Sequence, residues 1–237
     1  MVVATVESTG RRGPQLTTAD CYAEYQPVFA EDLRTVVGLQ SLLRTHSGPT
    51  DVRSLFTTED IEVLTTTNHV ATQAGLRDCP SLPGDTWLMM KVDAAVGRRS
   101  VLALARALAG TRVRGDQIVV EARFTDKGGE RGAEVLATLA AARAQGMRTA
   151  IAAVDGWRSL RPFLVAADIV KLDRRLLDPR HVDEARDVAT AASDGGLPLL
   201  AFGIETAGDV TAARDLGVQW LQGRHLAPPS RDGSRRA

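Results

Sequence analysis

Two cysteines, Cys21 and Cys79, are all that 237 residues contain. They are too few for a disulfide framework and stand in no metal-ligand spacing, so they read as ordinary thiols of a reducing compartment. Net charge is also lacking: lysine plus arginine and aspartate plus glutamate number 29 each. Nucleic-acid binders carry a basic excess, so direct nucleic-acid binding is not expected. No apolar run reaches a membrane span. Glu7, Arg11 and Arg12 break what would be the apolar stretch of a signal peptide. A cytoplasmic protein with no membrane segment is the expectation. Missing too are GxGxxG, GxxxxGKS/T, HExxH and GxSxG. His46, His69, His181 and His225 are scattered and read as surface or capping residues, not ligands.

What is present is alternation. Strand-like apolar runs fall at Tyr25–Ala30, Val36–Leu43, Trp87–Val92, Ile118–Phe124, Thr149–Ala153, Asp168–Leu172, Leu197–Phe202 and Trp220–Gln222. Helix-period segments lie between most of them. One starts at Glu59 behind the caps Thr57 and Thr58. Another sets Val101, Leu104, Ala105 and Leu108 on one face, and a third does so with Val135, Leu139 and Ala142. Val182–Ala192 and Thr206–Leu216 complete the set. Gly146, Gly195, Gly196 and Gly217 follow helices, where a left-handed cap suits glycine. Strands alternating with helices predict a closed (β/α)8 barrel, of the triosephosphate-isomerase type. About five residues join the first two strands, and a parallel crossover needs roughly a dozen, so that pair is predicted to be antiparallel. One barrel domain is expected over 18–229, after a loose arm at 1–17 and before a solvated, disordered tail at 230–237.

Active sites of such barrels lie at the C-terminal strand ends. Those ends read Tyr25-Gln26-Pro27, Gly38–Arg44, Met90-Lys91-Val92-Asp93, Val120–Phe124, Ala150–Val154, Ile169–Asp173, Ala201–Thr206 and Leu221–Pro229. The series resembles the EAL family of cyclic di-GMP phosphodiesterases over about 22–229. That family's pattern is YQP, EALLR, a strand ending in Asn, ELTE, DDFG, KxD, AEGVE and QG before a terminal Pro. The antiparallel start is also its peculiarity.

The resemblance implies two-metal phosphodiester hydrolysis, which needs carboxylate and amide oxygens. Several of those positions are altered here. Gln40 stands for the Glu of EAL, Lys91 for the strand-end Asn, Ala152 and Ala153 for the Asp pair of DDFG, and Phe202 for the first Glu of AEGVE. Glu121, Lys171 (with Asp173), Glu205 and Gln222 are kept. Of the eight positions at the metal site only Glu121, Lys171 and Gln222 survive, and one carboxylate does not hold two divalent ions tightly, because charge count largely sets such affinity. No metal, cofactor or catalytic residue is therefore expected. The Lys91 ammonium is expected to occupy space vacated by a metal and to pair with Glu121.

The ligand-binding candidates are Gln26, Arg44, Lys91, Glu121, Lys171, Asp173 and Gln222. Lys171 and Asp173 share a strand face, as a polar pair at the ligand site or as a structural ion pair. Glu121 and Arg123 also share a face and can pair with each other. Arg44 either contacts a ligand phosphate, as the resemblance implies, or is a solvated charge. Gln26 either holds a guanine edge or serves the local structure with Pro27. Phe202 either fills the void left by lost ligands or stacks on a base. Trp157 closes the pocket or anchors a partner, and Trp87 and Trp220 are core. By resemblance, the chain is a bacterial, catalytically inactive EAL-like regulator acting through an unidentified protein partner, with a homodimer implied. The alternative is a metal-independent receptor for cyclic di-GMP or another nucleotide. Retained phosphodiesterase activity comes last.

Overall fold

The computed structural model describes residues 16–46, 60–122, 132–153 and 161–234, and the backbone alone at 7–8, 11–12 and 123. Eight strands close into a barrel: β1 (Cys21–Ala30), β2 (Val36–Thr45), β3 (Trp87–Asp93), β4 (Ile118–Arg123), β5 (Arg148–Ala153), β6 (Ile169–Asp173), β7 (Leu199–Phe202) and β8 (Trp220–Gln222). The helices are α1 (Ile61–Arg77), α2 (Gly97–Leu108), α3 (Gly132–Ala144), α4 (Val182–Asp194) and α5 (Ala207–Asp215). Strand β1 runs antiparallel to both of its neighbours, β2 and β8, while every other barrel pairing is parallel.

The short β1–β2 connection explains the reversal. Asp32 accepts from the backbone N–H groups of Arg34 and Thr35 (2.9 and 2.8 Å) and from the Thr35 hydroxyl. These bonds hold the Asp32 carboxyl down at about 2. They also define a turn in which Leu33 takes a left-handed backbone, φ 56°. A loop this tight can only return the chain beside itself.

Period-2 alternation divides the strands. Val28, Trp87, Met89, Val119, Ala150, Ile169 and Leu200 form an apolar plug inside the barrel. Gly38 faces the Trp87 ring, and a Cβ there would overlap it. Trp87 is buried and packs on the half-buried Trp220 at 5.7 Å between ring centroids. The outward residues, among them Leu88, Met90, Val120 and Val170, pack under the helices. Val101, Leu104, Val135, Leu139 and Ala142 are buried there, as their helical spacing requires.

Some boundaries differ from the sequence reading. Helix α1 begins at Ile61 behind Asp60, whose carboxylate accepts from the Glu62 and Val63 N–H groups. Thr57, Thr58 and Glu59 lie outside the described residues, as does Trp157. Gly195 keeps a right-handed backbone, and Gly196 supplies the positive φ of 63°. Leu16, placed by the sequence in a loose arm, is buried in the core beneath α1, and Glu7–Ser8 pairs with Arg11–Arg12. At the other end, Ser230 exchanges backbone hydrogen bonds with Tyr25 (2.7 and 3.0 Å), and Arg231 lies over the Tyr22 ring at 3.6 Å. Residues 230–234 are thus laid against β1 instead of forming a disordered tail, because β1 has an edge to offer beyond its short pairing with β8.

Candidate functional site

Two residues above the apolar plug, the inward positions become Lys91, Glu121, Ala152, Lys171, Phe202 and Gln222. The same pleat that buries Met89, Val119 and Leu200 therefore aims these side chains at the barrel mouth. Glu121 sits in the middle and is only 4% exposed. Its Oε2 accepts from Lys171 Nζ at 2.7 Å and from Gln40 Nε2 at 3.3 Å, and Lys91 Nζ lies 3.7 Å from Oε1. Lys171 has no exposed surface at all. Burial holds its ammonium below the ordinary lysine range and the Lys91 charge acts the same way, while Glu121 pulls it back up.

The Lys91–Glu121 contact foreseen from the sequence is present, but Lys171 is the nearer partner. Strand β5 lies between β4 and β6, and its inward residue there is Ala152, the register neighbour of Lys171. A methyl group leaves the lysine stem room to cross to Glu121. The Phe202 ring covers the same ammonium, with its centroid 4.6 Å from Nζ. Phe202 thus packs on the apolar plug and also lines the cavity above it.

Asp173 does not pair with Lys171. It caps the turn Arg174–Leu177, accepting from the Arg175 N–H at 2.8 Å and from the Arg175 guanidinium at 3.1 Å. It also lies outside the cavity lining. Ala153, one residue past Ala152, alternates outward into the helix-covered core. Arg44 reaches the cavity rim, where its guanidinium donates to Glu24 at 2.8 Å. Gln26 donates to the Ala227 carbonyl at 3.2 Å and also lines the cavity. The side chain of Arg123 lies outside the described residues.

The cavity measures about 680 Å³. Gln26, Gln40, Arg44, Lys91, Phe202 and Gln222 line it, together with residues that sequence reasoning missed. Among these is Arg224, which has no ion pair among the described residues. Its signal was its place two residues beyond Gln222, on the loop that closes β8. Glu205 also lines the cavity and pairs with Arg174 at 3.2 Å. Gln222 is 1% exposed, yet its Nε2 donor has no partner. Such an amide costs stability unless something that enters the cavity accepts from it.

A pair of divalent cations does not fit this donor set. Among the described residues, no three His, Cys, Asp or Glu side chains gather in one place. The single carboxylate at the floor already has both oxygens engaged with Lys171, Gln40 and Lys91. Millimolar manganese or magnesium is therefore expected to move the melting temperature by no more than about 2 °C. A tightly held pair of ions would raise it by roughly 5–10 °C. A thermal scan with and without each metal decides between them.

The EAL domain pattern matches residues 14–229. No curated protein matches the chain. Among solved structures, EAL enzyme Bd1971, bound to cAMP and cyclic-di-GMP, superposes with a TM-score of 0.75 at 18% identity. The match covers 90% of this chain and 62% of that one, so the chain spans about three-fifths of that relative's length. PaMucR phosphodiesterase in its c-di-GMP complex gives 0.75 at 18% identity, covering 90% and 92%. Klebsiella pneumoniae BlrP1 in its calcium and cyclic di-GMP complex gives 0.75 at 21%, covering 92% and 58%. With the motif series, the reversed first strand and a match over nearly the whole barrel, the chain belongs to the EAL domain family.

Proposed function

We propose that this chain is a non-hydrolytic EAL domain that binds a cyclic dinucleotide, cyclic di-GMP in the first instance, without metal. One observation carries the reading: the floor carboxylate, Glu121, is engaged by a fully buried lysine in place of metal. The cavity above it has the size of a nucleotide site. Arg44, Lys91 and Arg224 give it the cationic lining that phosphodiester oxygens require. Gln222 lines the cavity as well. Three EAL structures of the same fold were solved with cyclic di-GMP bound.

The test is calorimetric titration of the purified chain with cyclic di-GMP in excess chelator. Saturable binding is expected, weakened about tenfold by Lys91→Gln or Arg224→Gln, the loss of one charge-assisted contact each. Absence of heat up to millimolar ligand would sink the receptor reading. Turnover of cyclic di-GMP with added manganese would sink the non-hydrolytic part of it.

A role through a protein partner is the second reading. Sequence reasoning put it first, on the loss of metal-binding residues; the cavity at the mouth favours nucleotide binding. Val165, 82% exposed on the turn Arg161–Ala166, is one apolar side chain available to such a contact. A cytoplasmic homodimer belongs to the same proposal by family likeness. No helix among the described residues is long and apolar enough to cross a membrane.

A further inference from the structure

Helix α2 carries Arg98, Arg99 and Arg106 and no acidic residue. Arg98, Leu102 and Arg106 recur every four residues and are exposed, so they form one stripe along its outer face. Helix α4 is the reverse: Asp183, Glu184, Asp187 and Asp194 stand against the single Arg186. Asp183, Asp187, Thr190 and Asp194 fall at i, i+4, i+7 and i+11, all exposed, and form an acidic stripe. Helix α2 follows β3 and α4 follows β6, three strands further round an eight-stranded ring. The two stripes therefore point apart and cannot meet within one chain.

Both helices also place charge where their own dipoles oppose it. Arg98 and Arg99 fall in the first turn of α2, beside the positive end, with no acidic residue there. Asp194 closes the last turn of α4, beside the negative end, with no basic residue there. The side chains of Arg98, Arg99, Arg106 and Asp194 have no partner among the described residues. These charges cost the single chain a little, and nothing within it answers them. The chain as a whole has no net charge, so copies do not repel one another.

We propose that α2 of one copy docks on α4 of a second copy, as an antiparallel helix pair joining unlike faces. In that arrangement Arg98 meets Asp194, Arg106 meets Asp187, and the 37% exposed Leu102 lies over Thr190. The helical rise sets Arg98 and Arg106 about 12 Å apart and Asp187 and Asp194 about 10 Å apart, so the two stripes match in length. The start of α2 then faces the end of α4, and the two dipoles attract. Each copy keeps one stripe unused, so the contact extends head to tail and differs from a two-fold dimer. One helix pair is small beside a standard interface, which makes the association weak and salt-sensitive. Neither stripe lines the mouth, so the contact is independent of cyclic dinucleotide binding.

The experiment is analytical ultracentrifugation of the full chain at about 10 mM and about 1 M salt, where the Debye length is roughly 30 and 3 Å. Mass is expected to rise with protein concentration at low salt and to stay that of one chain at high salt. Two double variants, Arg98→Gln with Arg106→Gln and Asp187→Asn with Asp194→Asn, should each weaken self-association about tenfold or more. All four residues are exposed, so both variants fold, and a thermal melt checks it. Mixed together at low salt, the two variants should form 1:1 pairs and nothing larger, because each retains one intact stripe. A single chain at every salt concentration overturns the contact. So does self-association that survives either double variant, or a mixture that fails to pair. Co-sedimentation with phosphatidylglycerol vesicles in place of self-association, lost with Arg98→Gln and Arg106→Gln, would overturn it too and give the basic stripe to a lipid surface.

Discussion

Glu121→Ala is expected to destabilise the fold by about 3–5 kcal/mol, a drop of roughly 10 °C in melting temperature. The size follows from what remains behind. Lys171 has no exposed surface, and its ammonium would lose the carboxylate that accepts from it at 2.7 Å. The Phe202 ring at 4.6 Å supplies only a fraction of what a full countercharge does. Lys171→Met should cost less, because Gln40 still donates to Glu121 and the half-exposed Lys91 still faces it. The double variant should recover much of the loss, since a buried pair replaced by apolar side chains is often neutral or better. Denaturant unfolding of the two single variants and the double variant reads the coupling directly. A Glu121→Ala variant within about 1 kcal/mol of wild type would show that the ion pair is not the floor of the mouth.

Gly223→Ala should be as damaging, for a steric reason. A Cβ on Gly223 would overlap the backbone oxygen, nitrogen and Cα of Ile204. Ile204 is unable to withdraw cheaply: its N–H donates to the Gln222 carbonyl at 3.0 Å, and its own carbonyl accepts from the His225 N–H at 3.1 Å. Backbone meeting backbone has no rotamer through which to escape, so a loss of about 4 kcal/mol or more is expected. Gly208→Ala is the control. The nearest atom to a Cβ there is the Thr206 hydroxyl oxygen at 3.6 Å, and the residue lies in α5. That substitution should stabilise by up to about 1 kcal/mol through reduced freedom of the unfolded chain. Thermal or denaturant melts of both variants check the contrast. Equal behaviour of the two would remove the steric account of the glycine after Gln222.

Much of this architecture was legible because local rules act alone. The apolar runs Trp87–Asp93 and Ile118–Arg123 are too short for a helix and follow glycine-containing turns, which marks them as strands without any knowledge of neighbours. The five residues between β1 and β2 force an antiparallel pair by chain reach. The site was less legible because its contacts cross strands. That Lys91 meets Glu121 follows from adjacency of β3 and β4. That Lys171 reaches the same carboxylate depends on Ala152 lying low on the strand between them, which no spacing in the chain reveals. Asp173 failed as a partner for Lys171 because a turn beginning at Arg174 claimed its oxygens first. Arg44 lies at the cavity rim, and its pairing with Glu24 needs the β1–β2 register, in which Tyr22 faces Arg44 and Glu24 faces Leu42.

The reversed strand β1 also sets a schedule for synthesis. It is the first barrel strand made, yet one of its edges pairs with β8 and its Tyr25 with Ser230, nearly the whole chain later. Contacts so distant in sequence carry the largest loop-closure cost and form late. On the ribosome, the hairpin β1–β2 therefore waits with one edge unsatisfied until Trp220, Leu221 and Ser230 have emerged, and only then does the ring shut.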